Sequence, residues 1–180
     1  GDFSRFFKTC YFDGAVKIPM VWRIPGFENR GAFRRDQLVG LQDILPTLCR
    51  LTDTPLTSRV DGEDLSAVIS ESQNTERDFY ISQGGRQKSM LRTSRWKYVY
   101  HAHGPVEELY DTTVQEGECR NLAADPAYAE LCSELRQKLL QWCRENNDDE
   151  MLDGNDLVQV PLDNLPAAEF NGNGLGLRKY

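Results

Sequence analysis

Residues Ile18 to Ile24 are almost uninterruptedly apolar (Ile18, Met20, Val21, Trp22 and Ile24), and Pro25-Gly26 closes the run. β-Branched and aromatic residues suit a pleated backbone, and a Pro-Gly pair stops it, so the run predicts a β-strand. The polar residues do not alternate with the apolar ones. A strand of that kind is covered on both faces, as in the parallel sheet of an α/β domain. It needs neighbouring strands, yet the chain begins only a few residues earlier and little that follows could flank it. The expectation is that this chain is the tail end of something larger.

After a polar loop bearing Gly31, Ile44, Leu45, Leu48 and Leu51 recur at helical spacing, with Asp43 placed to cap and Pro46 tolerated in the first turn. The spacing predicts an amphipathic helix packed on the sheet. Asp61-Gly62 predicts a tight turn with a positive φ at the glycine. Polar residues cluster from Ser70 to Thr75 and place a subdomain boundary there.

From Arg77 the period changes to two. Phe79 to Ile81, Ser89 to Thr93, Trp96 to Tyr100 and Glu107 to Asp111 read as four short strands, with Gly84-Gly85 and Ser94-Arg95 between them. Consecutive short strands predict an antiparallel meander. Asp125-Pro126 is a helix start. Beyond it Tyr128, Leu131, Cys132, Leu135, Leu139, Trp142 and Cys143 form one apolar stripe. The stripe predicts a helix of about five turns lying across the meander. The last segment, Met151 to Tyr180, is rich in Asn, Asp, Gly and Pro. It reads as a polar tail that wraps a partner or stays mobile, with Leu157 to Val160 as one edge strand.

Bulk properties exclude some functions. A net charge of −7 and a pI near 4.9 argue against nucleic-acid binding, which favours a basic surface. Mean hydropathy is −0.57, as for a soluble chain, and no apolar segment approaches membrane-spanning length. No signal peptide opens the chain, which in a fragment says nothing about its parent. The five cysteines (Cys10, Cys49, Cys119, Cys132 and Cys143) are odd in number and widely spaced, with no Cys-x-x-Cys. They suit free thiols and favour a reducing, cytoplasmic compartment over a disulfide framework or a zinc site.

Several segments together resemble the later part of the sulfatases. They are Gly1-Asp2, Lys8, Tyr11 to Val21, Pro25-Gly26, the Asp43 to Leu48 segment, Arg92 to Tyr100, Glu108 to Asp111 and Glu118 to Pro126. The matching family patterns are Gly-Asp-His-Gly, Gly-Lys-x-x-x-Tyr-Glu-Gly, Trp-Pro-Gly, Asp-Leu-Leu-Pro-Thr-Leu, Arg-Thr-x-Arg-Trp/Tyr-Lys-Tyr-x-Tyr, Glu-Leu-Tyr-Asp and Glu-x-x-Asn-Leu-Ala-x-Asp-Pro. Phe3 stands where the family has His, Phe7 for Gly, Phe12 for Tyr, Asp13 for Glu and Ile24 for Trp. The resemblance covers Gly1 to Glu145. It implies the C-terminal portion of an arylsulfatase-like protein of the alkaline-phosphatase superfamily. The implied fold is the end of an α/β domain (1–72, strand, loop and helix), then a small α+β subdomain (73–147) with a four-stranded antiparallel sheet and one long helix, then a polar tail (148–180).

The implied reaction is hydrolysis of a sulfate monoester, with formylglycine and calcium in the parent. The alternatives are a phosphomonoester or phosphonate hydrolase of the same superfamily, or a non-catalytic interaction module. No cysteine here is followed by Pro two residues later, so the formylglycine motif Cys/Ser-x-Pro-x-Arg is absent, and the family's calcium ligands lie upstream of these motifs. As given, the sequence holds no complete site, no metal ligands and no cofactor. By position Lys8 matches the family's lysine that contacts the substrate sulfate, a role that suits a compact ammonium charge. The implied partners are the rest of the sulfatase chain and a small sulfate ester, with neither nucleic acid nor membrane. Two further groups are weighed. His101 and His103 share a strand face but lack a third ligand and read as a turn-lining pair. Arg86 and Lys88 border a cleft in the parent or, more simply, sit in a solvated loop.

Overall fold

In the computed structural model the short apolar segments after Arg77 form a four-stranded antiparallel meander, as their period predicts. The structure describes residues 10–26, 37–70, 75, 77–85, 87–114 and 117–161. In chain order its elements are α1 (Asp13–Val16), α2 (Ile44–Leu51), α3 (Ser66–Ile69), β1 (Tyr80–Gly84), β2 (Lys88–Arg92) and β3 (Trp96–His101). β4 (Val106–Asp111), α4 (Ala129–Glu145), β5 (Leu152–Asp153) and β6 (Asp156–Leu157) follow, and 3₁₀ turns precede α2 and α4. The chain divides into two compact units, Gly31–Tyr80 and the remainder.

The larger unit holds the sheet, in the order β1-β2-β3-β4. In its central strand successive side chains point to opposite faces. Trp96 and Tyr100 face α4: the Trp96 and Tyr128 rings meet edge-on at 5.9 Å, and the Arg136 guanidinium lies 5.6 Å from the Tyr100 ring centre. Of the predicted stripe on α4, Cys132, Leu135, Leu139 and Cys143 are buried, joined by Leu140, while Tyr128, Leu131 and Trp142 are half-buried. Each large apolar side chain buried this way contributes about 1.5–3 kcal/mol. The helix begins as expected, with Pro126 opening a 3₁₀ turn and Asp125 Oδ1 accepting a hydrogen bond from the Ala127 N–H at 3.1 Å. Asn121 stitches the approach to it, accepting from Leu109 N–H at 2.9 Å and donating to Glu107 O at 3.1 Å.

Past α4 the chain makes the small β5-β6 hairpin, whose Gly154 takes a φ of +59°. Met151 and Leu157 are buried there, and the Tyr100 hydroxyl donates to Val158 O at 2.8 Å. The edge strand expected over 157–160 is thus reduced to Asp156–Leu157 plus a lone parallel bridge between Val160 and His103. The rest of the expected tail, 162–180, lies outside the described residues.

The smaller unit corrects three expectations. α2 is present, but half of its apolar stripe faces out: Leu45 is 54% and Leu48 45% exposed and Ile44 and Leu51 are half-buried, whereas Asp43 and Thr47 are completely buried. Asp43 makes no side-chain cap to α2. Its carboxylate instead accepts hydrogen bonds from the Gly40 N–H at 2.7 Å, the Glu63 N–H at 2.9 Å and both terminal nitrogens of Arg77 at 2.9 Å. Thr47 Oγ1 donates to Asp43 O and accepts from the Leu65 N–H at 2.9 Å. The polar face of the helix is therefore the one that its own unit covers. Gly62 does not take a positive φ. It is needed for space, since a Cβ there would lie 2.0 Å from Gln42 O.

The strand predicted over Ile18 to Ile24 is also corrected. Residues 17–24 carry no strand and no ladder partner among the described residues, with Ile18 40% and Val21 91% exposed. A strand exists only by hydrogen bonding to a neighbour, and the described residues supply none here.

Candidate functional site

Lys8, the residue singled out from sequence for sulfate contact, lies outside the described residues, as does Arg86. What the structure describes is the anchoring of the segment just after Lys8. Tyr11 is buried against Met90 and Val99, with Val16 beside it, and its hydroxyl donates to Lys88 O at 2.9 Å. Lys88 lies in β2 rather than in a loop, its ammonium 5.8 Å from the Tyr11 ring centre. The rings of Phe12 and Tyr110 meet at 6.0 Å. Residues 11–16 thus cover the sheet face opposite α4.

At the centre of this contact is Lys97, 1% exposed, on the face of β3 that also carries Val99. Its ammonium donates to Tyr11 O at 2.9 Å, to Asp13 Oδ1 and to Glu118 Oε1. Three donors meet three acceptors, so the buried ammonium is fully satisfied. Glu118 closes the circuit by accepting from the Asp13 N–H at 2.8 and 3.1 Å. Arg92 sits directly across β2 from Lys97, and its charge also acts on Asp13 and Glu118. Two like charges opposed across strands repel, and the two carboxylates balance them. Burial lowers the Arg92 pKa, and one of its terminal nitrogens, Nη1, is buried without a hydrogen-bond partner. Burial alone would raise the Asp13 carboxyl, but the Lys97 hydrogen bond and the nearby positive charges outweigh it and hold it below its ordinary value. Burial likewise acts on Asp43, and Arg77 with the Glu63 and Gly40 amides overcomes it. On the sheet edge, Arg95 and Thr113 bring the Asp111 carboxyl down to about 2.

Sequence reasoning did not single out Lys97, Glu118 or Arg92. The available signal was a charged residue at an inward position of a strand whose neighbours are aromatic and β-branched. Such a residue is nearly always paired.

The two histidines separate. His101 Nε2 lies 3.1 Å from Glu108 Oε1, while His103 follows the strand, its buried Nδ1 without a hydrogen-bond partner. Among the described residues no group of three or more His, Cys, Asp or Glu could hold a metal. The cysteines are free, and burial pushes the Cys143 thiol up to about 12.

The family described as N-sulphoglucosamine sulphohydrolase, C-terminal, matches residues 1–145. The chain belongs to this family. It is 28% identical over 149 residues to the Delta 4,5-hexuronate-2-O-sulfatase of Bacteroides thetaiotaomicron, covering 77% of this chain and 31% of that protein. It is 26% identical over 164 residues to an arylsulfatase of Clostridium perfringens, covering 88% and 34%. The chain thus spans about a third of the length of these curated relatives. Among solved structures, a 2-O GAG sulfatase matches with a TM-score of 0.52 at 30% identity, over 59% of this chain and 25% of that one. A protein solved with its substrate D-glucosamine-2-N,6-O-disulfate matches at 21% identity with a TM-score of 0.50, a likeness of fold alone. The four-stranded sheet and long helix are the closing part of an alkaline-phosphatase-like sulfatase fold, as expected from sequence. No helix among the described residues is long and apolar enough to cross a membrane.

Proposed function

We propose that this chain is the C-terminal part of a hydrolase that cleaves sulfate monoesters, and that Lys8 contacts the substrate sulfate in that enzyme. The observation that carries the reading is the family match over residues 1–145 by a chain about a third as long as its relatives. In this reading residues 1–72 complete the α/β domain, 73–147 form the C-terminal subdomain and 148–180 are a tail. The partner of the chain is the remaining part of the sulfatase, and the substrate is a small sulfate ester. The exposed Ile18 and Val21 and the outward leucines of α2 support the first point, since apolar side chains of this kind are normally covered. Formylglycine and calcium belong to the parent and would supply the nucleophile and the neutralisation of sulfate charge. The contribution of this chain is a cation placed against an anionic substrate.

The test is turnover of an aryl sulfate, a sugar sulfate and a phosphate monoester by the full-length gene product. Preferential sulfate hydrolysis, strongly lowered in Lys8→Ala, is the expected result. Preference for the phosphate ester would move the enzyme to the phosphohydrolase branch of the superfamily. Absence of turnover on all three substrates would make the chain an interaction module, and a normal rate in Lys8→Ala would return Lys8 to the solvated surface.

A further inference from the structure

We propose that residues 148–160 are a strap: they fold over the C-terminal end of α4, close that end of the core, and can release as a unit while the sheet and α4 stay folded. The strap lies beyond the family match, which ends at residue 145. Two apolar plugs and two polar catches hold it. The plugs are Met151 and Leu157, 3% and 1% exposed. The first catch is Arg136 on α4. Its Nη1 donates to Asp156 Oδ1 at 2.7 Å and its Nε lies 3.2 Å from Glu107 Oε1 on β4, so one guanidinium ties strap, helix and sheet together. The second catch is at the end of β3. There the Tyr100 hydroxyl donates to Val158 O at 2.8 Å. The Val160 N–H donates to Ala102 O at 2.9 Å, and Val160 O accepts from the Gly104 N–H at 2.8 Å.

The make-up of the strap lets it open separately. Its hairpin consists of two strands of two residues each, and a hairpin that small does not hold itself, so docking alone orders it. Ordering each of its residues costs backbone entropy, yet Met151 and Leu157 are its only buried side chains, and Asp149, Glu150 and the turn from Asp153 to Asp156 are exposed. α4 by contrast buries Cys132, Leu135, Leu139, Leu140 and Cys143. Segments with few buried apolar contacts open at a lower free energy than the core they cover. Two thiols stand at different distances from the strap. Cys143, 0% exposed, lies at its root: the Asp148 N–H donates to Cys143 O at 2.9 Å, and the Asp148 carboxylate acts on the Cys143 thiol. Cys132, 5% exposed, lies about three turns earlier on α4, near Glu107.

The experiment is alkylation of the folded full-length gene product with iodoacetamide, followed separately at Cys143 and Cys132 by peptide mass spectrometry. A thiol that reacts only when uncovered reports how often its cover opens. Cys143 is expected to react at least about tenfold faster than Cys132. Leu157→Ser removes a plug, and Asp156→Asn removes the charge of a catch while keeping its shape. Each is expected to raise the Cys143 rate by about tenfold or more and to leave the Cys132 rate within about twofold. Circular dichroism checks that each variant is folded, and Asp156→Asn carries the test if Leu157→Ser is not. Equal rates at the two thiols, rising together in the variants, would mean that the strap opens only when the whole fold does. A Cys143 rate unchanged in the folded variants would mean that the strap does not cover it. Either result would overturn the proposal.

Discussion

The sheet with α4 and the smaller unit with α2 handle their apolar residues in opposite ways. α4 buries Cys132, Leu135, Leu139, Leu140 and Cys143, and Trp96 and Tyr100 of β3 meet Tyr128 and Arg136 on the same side. α2 turns Asp43 and Thr47 inward and leaves Leu45 and Leu48 exposed, and the run 18–24 leaves Ile18 and Val21 exposed without a strand partner among the described residues. The two helices have similar sequence periodicity. What differs is whether the described residues supply the complementary surface. An apolar stripe states that a partner surface is needed; it does not state that the same chain supplies it.

The comparison can be broken by substitution. The largest effect is expected for Lys97→Met in this chain. It leaves the Asp13 and Glu118 carboxylates without their shared cation and should cost about 3–5 kcal/mol in urea unfolding. A loss under about 1 kcal/mol would mean that the cluster relaxes into water. Next comes Leu139→Ala, in the core under α4, which should cost about 2–5 kcal/mol by cavity formation. The matching change on the other helix, Leu45→Ala, should cost less than about 1 kcal/mol in the same assay. Equal losses at the two sites would erase the contrast between the helices.

Acid provides a graded test. The carboxyls of Asp13, Asp43 and Asp111 are all held below their ordinary values in the folded chain. Groups lowered in this way stabilise the fold above their unfolded pKa, which is about 3.9, and that stabilisation is lost as pH falls through their folded values. Stability followed by thermal midpoint should therefore hold above about pH 4 and decline from there towards about 2, the value for Asp111. Asp43→Asn should flatten part of that decline. The smallest effect is expected for Val21→Asp, within about 0.5 kcal/mol in this chain. A large loss would mean that Val21 is covered after all.

The parts of the fold that could be read from sequence were those whose partners are near in the chain. The four strands follow one another, and Asp125-Pro126 and the stripe of α4 are local signals, so β2 to β4 and the helix were legible closely, while β1 runs three residues past its expected end at Ile81. The direction in which α2 faces was not legible, because periodicity marks a stripe without saying what covers it. Gly62 was recognised as a turn glycine, but the reason it must be glycine, the carbonyl of Gln42, comes from a segment twenty residues away. The cluster around Lys97 was hidden for the same reason: Asp13, Lys97 and Glu118 come from three distant stretches, and only Lys97 looked out of place in its own. For the candidate site, sequence supplied Lys8 by resemblance, and the structure supplied the anchoring of the residues that follow it.

The account turns on the run 18–24 and on whether its partners lie outside this chain. Backbone hydrogen exchange of these residues, compared between the 180-residue chain and the full-length gene product, tests this most directly. The account predicts fast exchange in the chain alone and strong protection, typical of a central strand, in the full-length protein. Equally fast exchange in both would contradict it.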